Sequence, residues 1–141
     1  MLPMLDLRTR DGAPLAWRPL WQRRNLLVLF AHPACETCRR VLADWGARAG
    51  VLAAENATAL AVFEADPGAD VPGVTVVVDP ARRLAARVGA ENGTALAVDR
   101  FFEVIEAADV HAIGAETAAE DAIGWIRLAE RRCPECGIGT W

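Results

Sequence analysis

The residues of this chain best suited to do chemistry are four cysteines in two Cys-x-x-Cys pairs. Cys35 and Cys38 lie in His32-Pro33-Ala34-Cys35-Glu36-Thr37-Cys38, and Cys133 and Cys136 lie in Cys133-Pro134-Glu135-Cys136-Gly137. Two thiols at this spacing can exchange with a disulfide or hold a thiophilic metal ion. The first pair follows the apolar run Leu26 to Ala31 and opens a segment in which Cys38, Val41, Leu42, Trp45, Ala49 and Leu52 recur at three- and four-residue steps. That is the signature of a buried strand followed by an amphipathic helix. Cys35 is therefore expected at a helix N-terminus, where unpaired N–H groups and the helix dipole favour thiolate over thiol. Cys38, one turn on and in the apolar stripe, is within disulfide reach and is expected to be the more buried of the two. The implied chemistry is dithiol–disulfide exchange, Cys35 attacking and Cys38 releasing the mixed disulfide. The charge of Glu36 works against the dipole, so the net effect on the thiol stays open. His32 has three readings: stabilising a thiolate when protonated, accepting its proton when neutral, or hydrogen-bonding the backbone of the loop.

The second pair has a different character. Cys133-Pro134-Glu135-Cys136-Gly137 reads as a knuckle, with Pro and Gly suited to a tight turn whose N–H groups point at sulfur. Three roles follow. Cys35, Cys38, Cys133 and Cys136 together could hold zinc or iron in a four-thiolate site; the tail dithiol could relay reducing equivalents to Cys35 and Cys38; or the tail carries two ordinary thiols.

The elements that must position the first pair are legible in outline. Leu26 to Ala31 is apolar on both faces, as in a strand covered by helices on both sides. Thr58 to Phe63 and Val74 to Val78 read as further strands, and Ala81 to Val88 as a helix opened by Asp79-Pro80 and closed by Gly89. Thr94 to Val98 and Glu103 to Ala107 form an antiparallel pair, and Thr117-x-x-Glu120 reads as a capping box opening a last helix that runs to Arg132. Ahead of the central strand, Leu2 to Leu7 is extended and turns at Arg10-Asp11-Gly12. Trp17 and Trp21 then either cover one end of the core or form an aromatic platform for substrate. Phe101 and Phe102 at the later hairpin tip either form an exposed patch or tuck under a neighbouring loop.

With 141 residues and 53% hydrophobic composition, the chain can bury a sizeable core without disulfide staples. A net charge of -4 and a pI near 5.2 argue against a general nucleic-acid or anionic-membrane binder. Neither a signal-peptide pattern nor a stretch of ~18 apolar residues is found, so a soluble, cytoplasmic protein is expected. In that compartment a Cys-x-x-Cys is more often catalytic or metal-binding than structural.

Strand, Cys-Glu-Thr-Cys, helix, two strands, helix and hairpin together resemble the thioredoxin-like fold, in its redoxin branch of cytochrome-maturation reductases and, more distantly, peroxiredoxins. The resemblance covers most of the chain: Leu7 to Leu20 is similar to that branch's N-terminal hairpin and lead-in, Val78-Asp79-Pro80 to its strand-to-helix passage, and Ala97-Val98-Asp99-Arg100 to its penultimate strand. It implies an α/β three-layer sandwich, a central mixed sheet flanked by helices with an N-terminal hairpin extension. Residues 1–132 would form that domain and residues 133–141 the tail. His32, Pro33 and Ala34, together with Gly93 and Thr94, would face the substrate.

Departures from the family bear on mechanism. Gly93 stands where thioredoxins carry a cis-proline, and Ala34 where a Trp often precedes the first cysteine. Peroxiredoxins place Thr or Ser three residues before the reactive Cys and Pro four before that, where this chain has His32 and Val28. The reading is a cofactor-free thiol–disulfide oxidoreductase, acting on a disulfide-containing protein or small molecule and recharged by a thiol donor. Peroxide reduction, or a non-catalytic four-cysteine metal module, are the alternatives.

Overall fold

The structure, a computed structural model, describes residues 1–131; the expectations for Cys133, Cys136, the tail and the last residue of the final helix lie outside them. The fold is built on β2 (Asn25–Ala31), every residue of which is buried. Alternation sends Leu27, Leu29 and Ala31 to one face of the sheet and Leu26, Val28 and Phe30 to the other, so both faces require cover. β3 (Ala57–Phe63) runs parallel to β2, with Leu26 opposite Thr58 and Ala31 opposite Phe63. β4 (Thr75–Val78) continues the parallel set, and β1 (Arg8–Thr9) closes that edge antiparallel to it. On the other side β5 (Thr94–Val98) and β6 (Val104–Asp109) pair antiparallel, giving the order β1-β4-β3-β2-β5-β6.

One face is covered by α1 (Glu36–Ala47), α2 (Ala49–Ala54) and α5 (Ala115–Glu130), through Val41, Leu42, Trp45, Leu52, Ala118 and Ile126. The opposite face is covered by α3 (Arg83–Val88) through Leu84 and Ala85, together with the N-terminal segment. There Phe102 is fully buried and meets Trp17 and Trp21 edge-on, with centroids 5.6 and 5.1 Å apart. The hairpin-tip phenylalanine is thus tucked in, as one of the two expectations had it. This is the thioredoxin-like three-layer α/β fold.

Several boundaries differ from the sequence reading, each for a local reason. Leu2 to Leu7 precedes the sheet without strand pairing: buried Leu2 is held by its N–H to the Phe102 carbonyl at 2.6 Å, and the first strand starts at Arg8. The N-terminal hairpin around Arg10-Asp11-Gly12 is present, with Thr9 N–H on the Ala13 carbonyl and Leu15 N–H on that of Leu7. The first helical pattern is two helices, interrupted at Arg48. α3 opens at Arg83 rather than Ala81 because Arg82 takes a left-handed conformation; the Asp79 carboxylate still caps it, accepting from Leu84 N–H at 2.9 Å. Thr117 lies inside α5, which starts at Ala115, and a four-residue helix, α4 (Val110–Ile113), fills the unassigned stretch before it.

Gly46 explains how α1 is seated. A Cβ there would run into the carbonyl oxygen of Pro72, so the loop before β4 lies directly against the helix backbone. Gly50, in α2, has open space where a Cβ would go. The two glycines should respond oppositely to alanine. Gly50→Ala should raise stability by ~0.5–1 kcal/mol through helix entropy. Gly46→Ala should lower it by ~1–3 kcal/mol, because the clash outweighs the same entropic gain. Thermal unfolding of the two variants checks the pair; a Gly46→Ala protein more stable than the parent would contradict the packing.

Candidate functional site

The carboxyl end of β2 delivers the chain to His32-Pro33-Ala34, and Cys35 becomes the N-cap residue of α1. Its backbone is extended (φ -82, ψ 109) and its Sγ accepts from the Cys38 N–H at 3.2 Å. Sulfur does here what a Ser or Asp oxygen does at other helix starts. Cys35 is partly exposed, whereas Cys38 is fully buried against the sheet; both are free thiols.

Cys35 has a second partner that the sequence reading did not find. Nε2 of His111 lies 3.0 Å from Cys35 Sγ, across 76 positions of sequence. His111 stands on α4, whose N-cap Asp109 accepts the His111 backbone N–H at 2.9 Å. The same carboxylate oxygen lies 3.4 Å from the ring Nδ1. Asp109, His111 and Cys35 therefore stand in a row of carboxylate, imidazole and thiol.

Gly93 makes room for this row. It sits just before β5, buried, at φ +92, and a Cβ there would fall 2.5 Å from His111 Cε1. Its N–H donates to the Phe30 carbonyl at 2.6 Å and its carbonyl accepts from Val110 N–H at 2.9 Å. The backbone at Gly93 thus joins the end of β2 to the start of α4. Any other residue would be strained at that φ and would push the imidazole off the thiol.

Burial by itself pushes the Cys35 thiol up, but hydrogen bonds from Cys38 and His111 and the charge of His111 outweigh it, so the net shift is downward. Cys38 moves the other way, to about 12, through burial first and then through its hydrogen bond to Cys35. His111 is raised, mainly by its hydrogen bond to Cys35, against a smaller opposing effect of burial. Relative to the free groups, the surroundings stabilise the charged form of Cys35 and of His111 and the neutral form of Cys38.

The remaining candidate residues are placed as follows. His32 is exposed and its Nδ1 accepts the Ala34 N–H at 3.0 Å, which is the loop-forming one of its three expected roles. Pro33 lines one end of a groove of about 590 Å³ whose walls include Arg39, Leu42, Phe63, Val71 and Pro72. Thr94 is half-buried, its Oγ1 accepting from Glu91 N–H at 3.1 Å, so Glu91 and Asn92 are the exposed residues of that loop. The sequence signals for His111 were weak: an Asp two positions ahead of it, a Gly three after it, and a Gly in place of proline at position 93.

No protein-family model matches the chain. Among curated proteins it is 36% identical over 91 residues to a "Probable cytosol aminopeptidase" of Burkholderia mallei and to its counterpart in Burkholderia pseudomallei. The match takes in 62% of this chain and 18% of those proteins, so the chain spans less than a fifth of their length. Similar solved structures include peroxidoxin BcpB from Mycobacterium tuberculosis, at TM-score 0.76 and 14% identity, covering 92% of this chain and 94% of that one. Peroxiredoxin Q from Xanthomonas campestris is similar at TM-score 0.77 and 14% identity, covering 93% and 97%. An exposed lipoprotein thioredoxin from Streptococcus pneumoniae is similar at TM-score 0.66 and 17% identity, covering 84% and 96%. At these identities the likeness is one of fold, and it establishes the thioredoxin-like fold for this chain.

The site geometry sets a reactivity order that alkylation reads. With Cys133 and Cys136 replaced by serine, iodoacetamide should label Cys35 with a pH midpoint below the ~8.5 of a free cysteine, and Cys38 should stay unlabelled until strongly alkaline pH. His111→Ala and Gly93→Ala should both move the Cys35 midpoint upward. A midpoint unchanged in His111→Ala would show that the imidazole does not hold the thiolate.

Proposed function

We propose that this protein is a thiol–disulfide oxidoreductase whose nucleophile is Cys35 and whose resolving thiol is Cys38. The observation that carries this reading is the opposite displacement of two neighbouring thiols: one partly exposed and held toward thiolate at a helix N-cap beside an imidazole, the other buried and held protonated. A productive dithiol needs that asymmetry, because the outer sulfur must attack first and the inner one must wait.

The steps follow from the positions of the atoms. Cys35 thiolate attacks one sulfur of a substrate disulfide, forming a mixed disulfide and expelling a thiolate that takes the proton from His111. The now neutral imidazole has a ring nitrogen within 4.8 Å of the Cys38 sulfur and takes the Cys38 proton through one bridging water or after a small side-chain movement. Cys38 then attacks Cys35 Sγ, and the second substrate thiolate leaves with that proton. One protein dithiol becomes a disulfide, and one substrate disulfide becomes two thiols. Asp109 orients the ring throughout. Return to the dithiol requires an external thiol donor.

The groove beside Pro33 suits a substrate with apolar residues next to its disulfide, and Arg39 adds a positive charge at its margin. No described helix is long and apolar enough to cross a membrane. A cytoplasmic location fits the use of a reduced dithiol, and the tail from residue 133 would then serve Cys35 and Cys38 as a second dithiol. Peroxide reduction has support from the fold of two of the similar structures, and a Cys35 thiolate could attack a peroxide oxygen. The residues that the peroxiredoxin pattern sets around its cysteine are replaced here by His32 and Val28.

Mixing the reduced Cys133→Ser/Cys136→Ser protein with insulin tests the reading. One insulin disulfide should be reduced per protein, Cys38→Ser should accumulate a covalent mixed disulfide visible by mass, and Cys35→Ser should do neither. Equal insulin reduction by Cys35→Ser and its parent would overturn the assignment, as would faster consumption of hydrogen peroxide than of any disulfide.

A further inference from the structure

We propose that Cys35, Cys38 and His111 are sufficient to hold a zinc ion, with the fourth coordination position left to an exchangeable ligand. The proposal is separate from the exchange reading above: the chain could bind zinc without exchanging disulfides, or the reverse.

The donor set argues first. Two thiolates and one imidazole combine ligands that both suit zinc, and three protein ligands with one free position is the pattern of zinc sites that keep an exchangeable ligand. Asp, Glu and carbonyl oxygen, which would favour magnesium or calcium, are not in the set.

The three ligand atoms lie within 4.8 Å of one another, and among the described residues no other group of three such side chains does so. Tetrahedral zinc with its usual bond lengths asks for donor atoms roughly 3.5–3.8 Å apart. The Cys35 and His111 atoms, 3.0 Å apart, would separate by about half an ångström, and the pairs with Cys38, within 4.8 Å, would close by up to about 1 Å, to receive an ion. His111 is half exposed, so its side chain has room to make that movement.

The supporting groups are already placed. Asp109 Oδ1 lies behind the far ring nitrogen at 3.4 Å, so that when the ring gives up a proton to bind an ion, Nδ1 can keep its hydrogen toward Asp109 and Nε2 can turn its lone pair to the metal. A carboxylate in that place fixes the tautomer and raises the basicity of metal-binding histidines. The Cys38 N–H is directed at Cys35 Sγ, the kind of donor that stabilises a coordinated thiolate. Cys38 is buried, whereas Cys35 and His111 reach the surface, so an ion held by all three would have its inner side against the protein and its outer side in water. A bound ion holds both sulfurs as thiolates and so excludes a Cys35–Cys38 disulfide. Zinc would thereby keep the pair reduced and out of exchange until removed.

Cobalt is a coloured probe for the site. The reduced Cys133→Ser/Cys136→Ser protein, titrated anaerobically with Co²⁺, should develop thiolate-to-cobalt charge transfer and the intense visible bands of four-coordinate cobalt at one equivalent, displaced by one equivalent of Zn²⁺. His111→Ala should weaken the visible bands and the affinity. Asp109→Asn, which keeps every ligand, should lower zinc affinity about 10–100-fold. Loss of binding in the Cys133→Ser/Cys136→Ser protein would overturn the proposal in favour of a site that needs the tail. Equal binding by His111→Ala and its parent would overturn it in favour of a site made by cysteines alone. Circular dichroism of each variant shows that the comparison is between folded proteins.

Discussion

The structure depends on one hydrogen-bond acceptor, the Cys35 sulfur at the N-cap of α1. Its partner, the Cys38 N–H, is one of the donors that any helix start leaves without an intrahelical carbonyl. A thiolate accepts that bond better than a thiol does, so capping the helix and ionising the cysteine are one event. The same bond fixes the register of the pair: Cys38 is placed one turn on, pointing into the apolar face that also buries Val41 and Trp45. Reactivity and burial are thus divided between two sulfurs by the geometry of a helix terminus.

The rest of the fold brings an imidazole to that sulfur. β5 and β6 pair antiparallel beyond the central strand, and the chain leaving β6 at Asp109 turns at once into α4, over the end of β2. Gly93 is the hinge of this arrangement. With no Cβ, it allows the His111 ring to lie against the backbone, and it ties Phe30, at the end of the cysteine-bearing strand, to Val110. A histidine from another element occupies the place that a side chain at position 93 would take. The thioredoxin-like scaffold is kept while the environment of its thiol changes.

Much of this could be read in the sequence, and what could not has physical causes. The all-apolar Leu26 to Ala31 run and the stripe from Cys38 to Leu52 identified the central strand, the first helical layer and the unequal burial of the two thiols. These signals are local and periodic. His111 was hidden because its role is a contact across 76 positions, and periodicity says nothing about which loop folds over which. His32 drew attention by adjacency, yet its ring is engaged with the loop backbone. Helix starts shifted for reasons of local backbone: α3 begins only after the left-handed Arg82 although its expected cap, Asp79, is in place, and α5 begins after Gly114 with no side-chain cap. Asp109 opened α4 ahead of Thr117.

The central claim is that Cys35 and His111 share their protons, and the chain's two histidines make it measurable by nuclear magnetic resonance. The His111 imidazole shifts, followed against pH in the reduced protein and in Cys35→Ser, report the coupling from the histidine side. The account predicts a His111 midpoint above the ~6.5 of an ordinary histidine, held there chiefly by Cys35 and falling when serine replaces it. Identical His111 titrations in the two proteins would contradict the account.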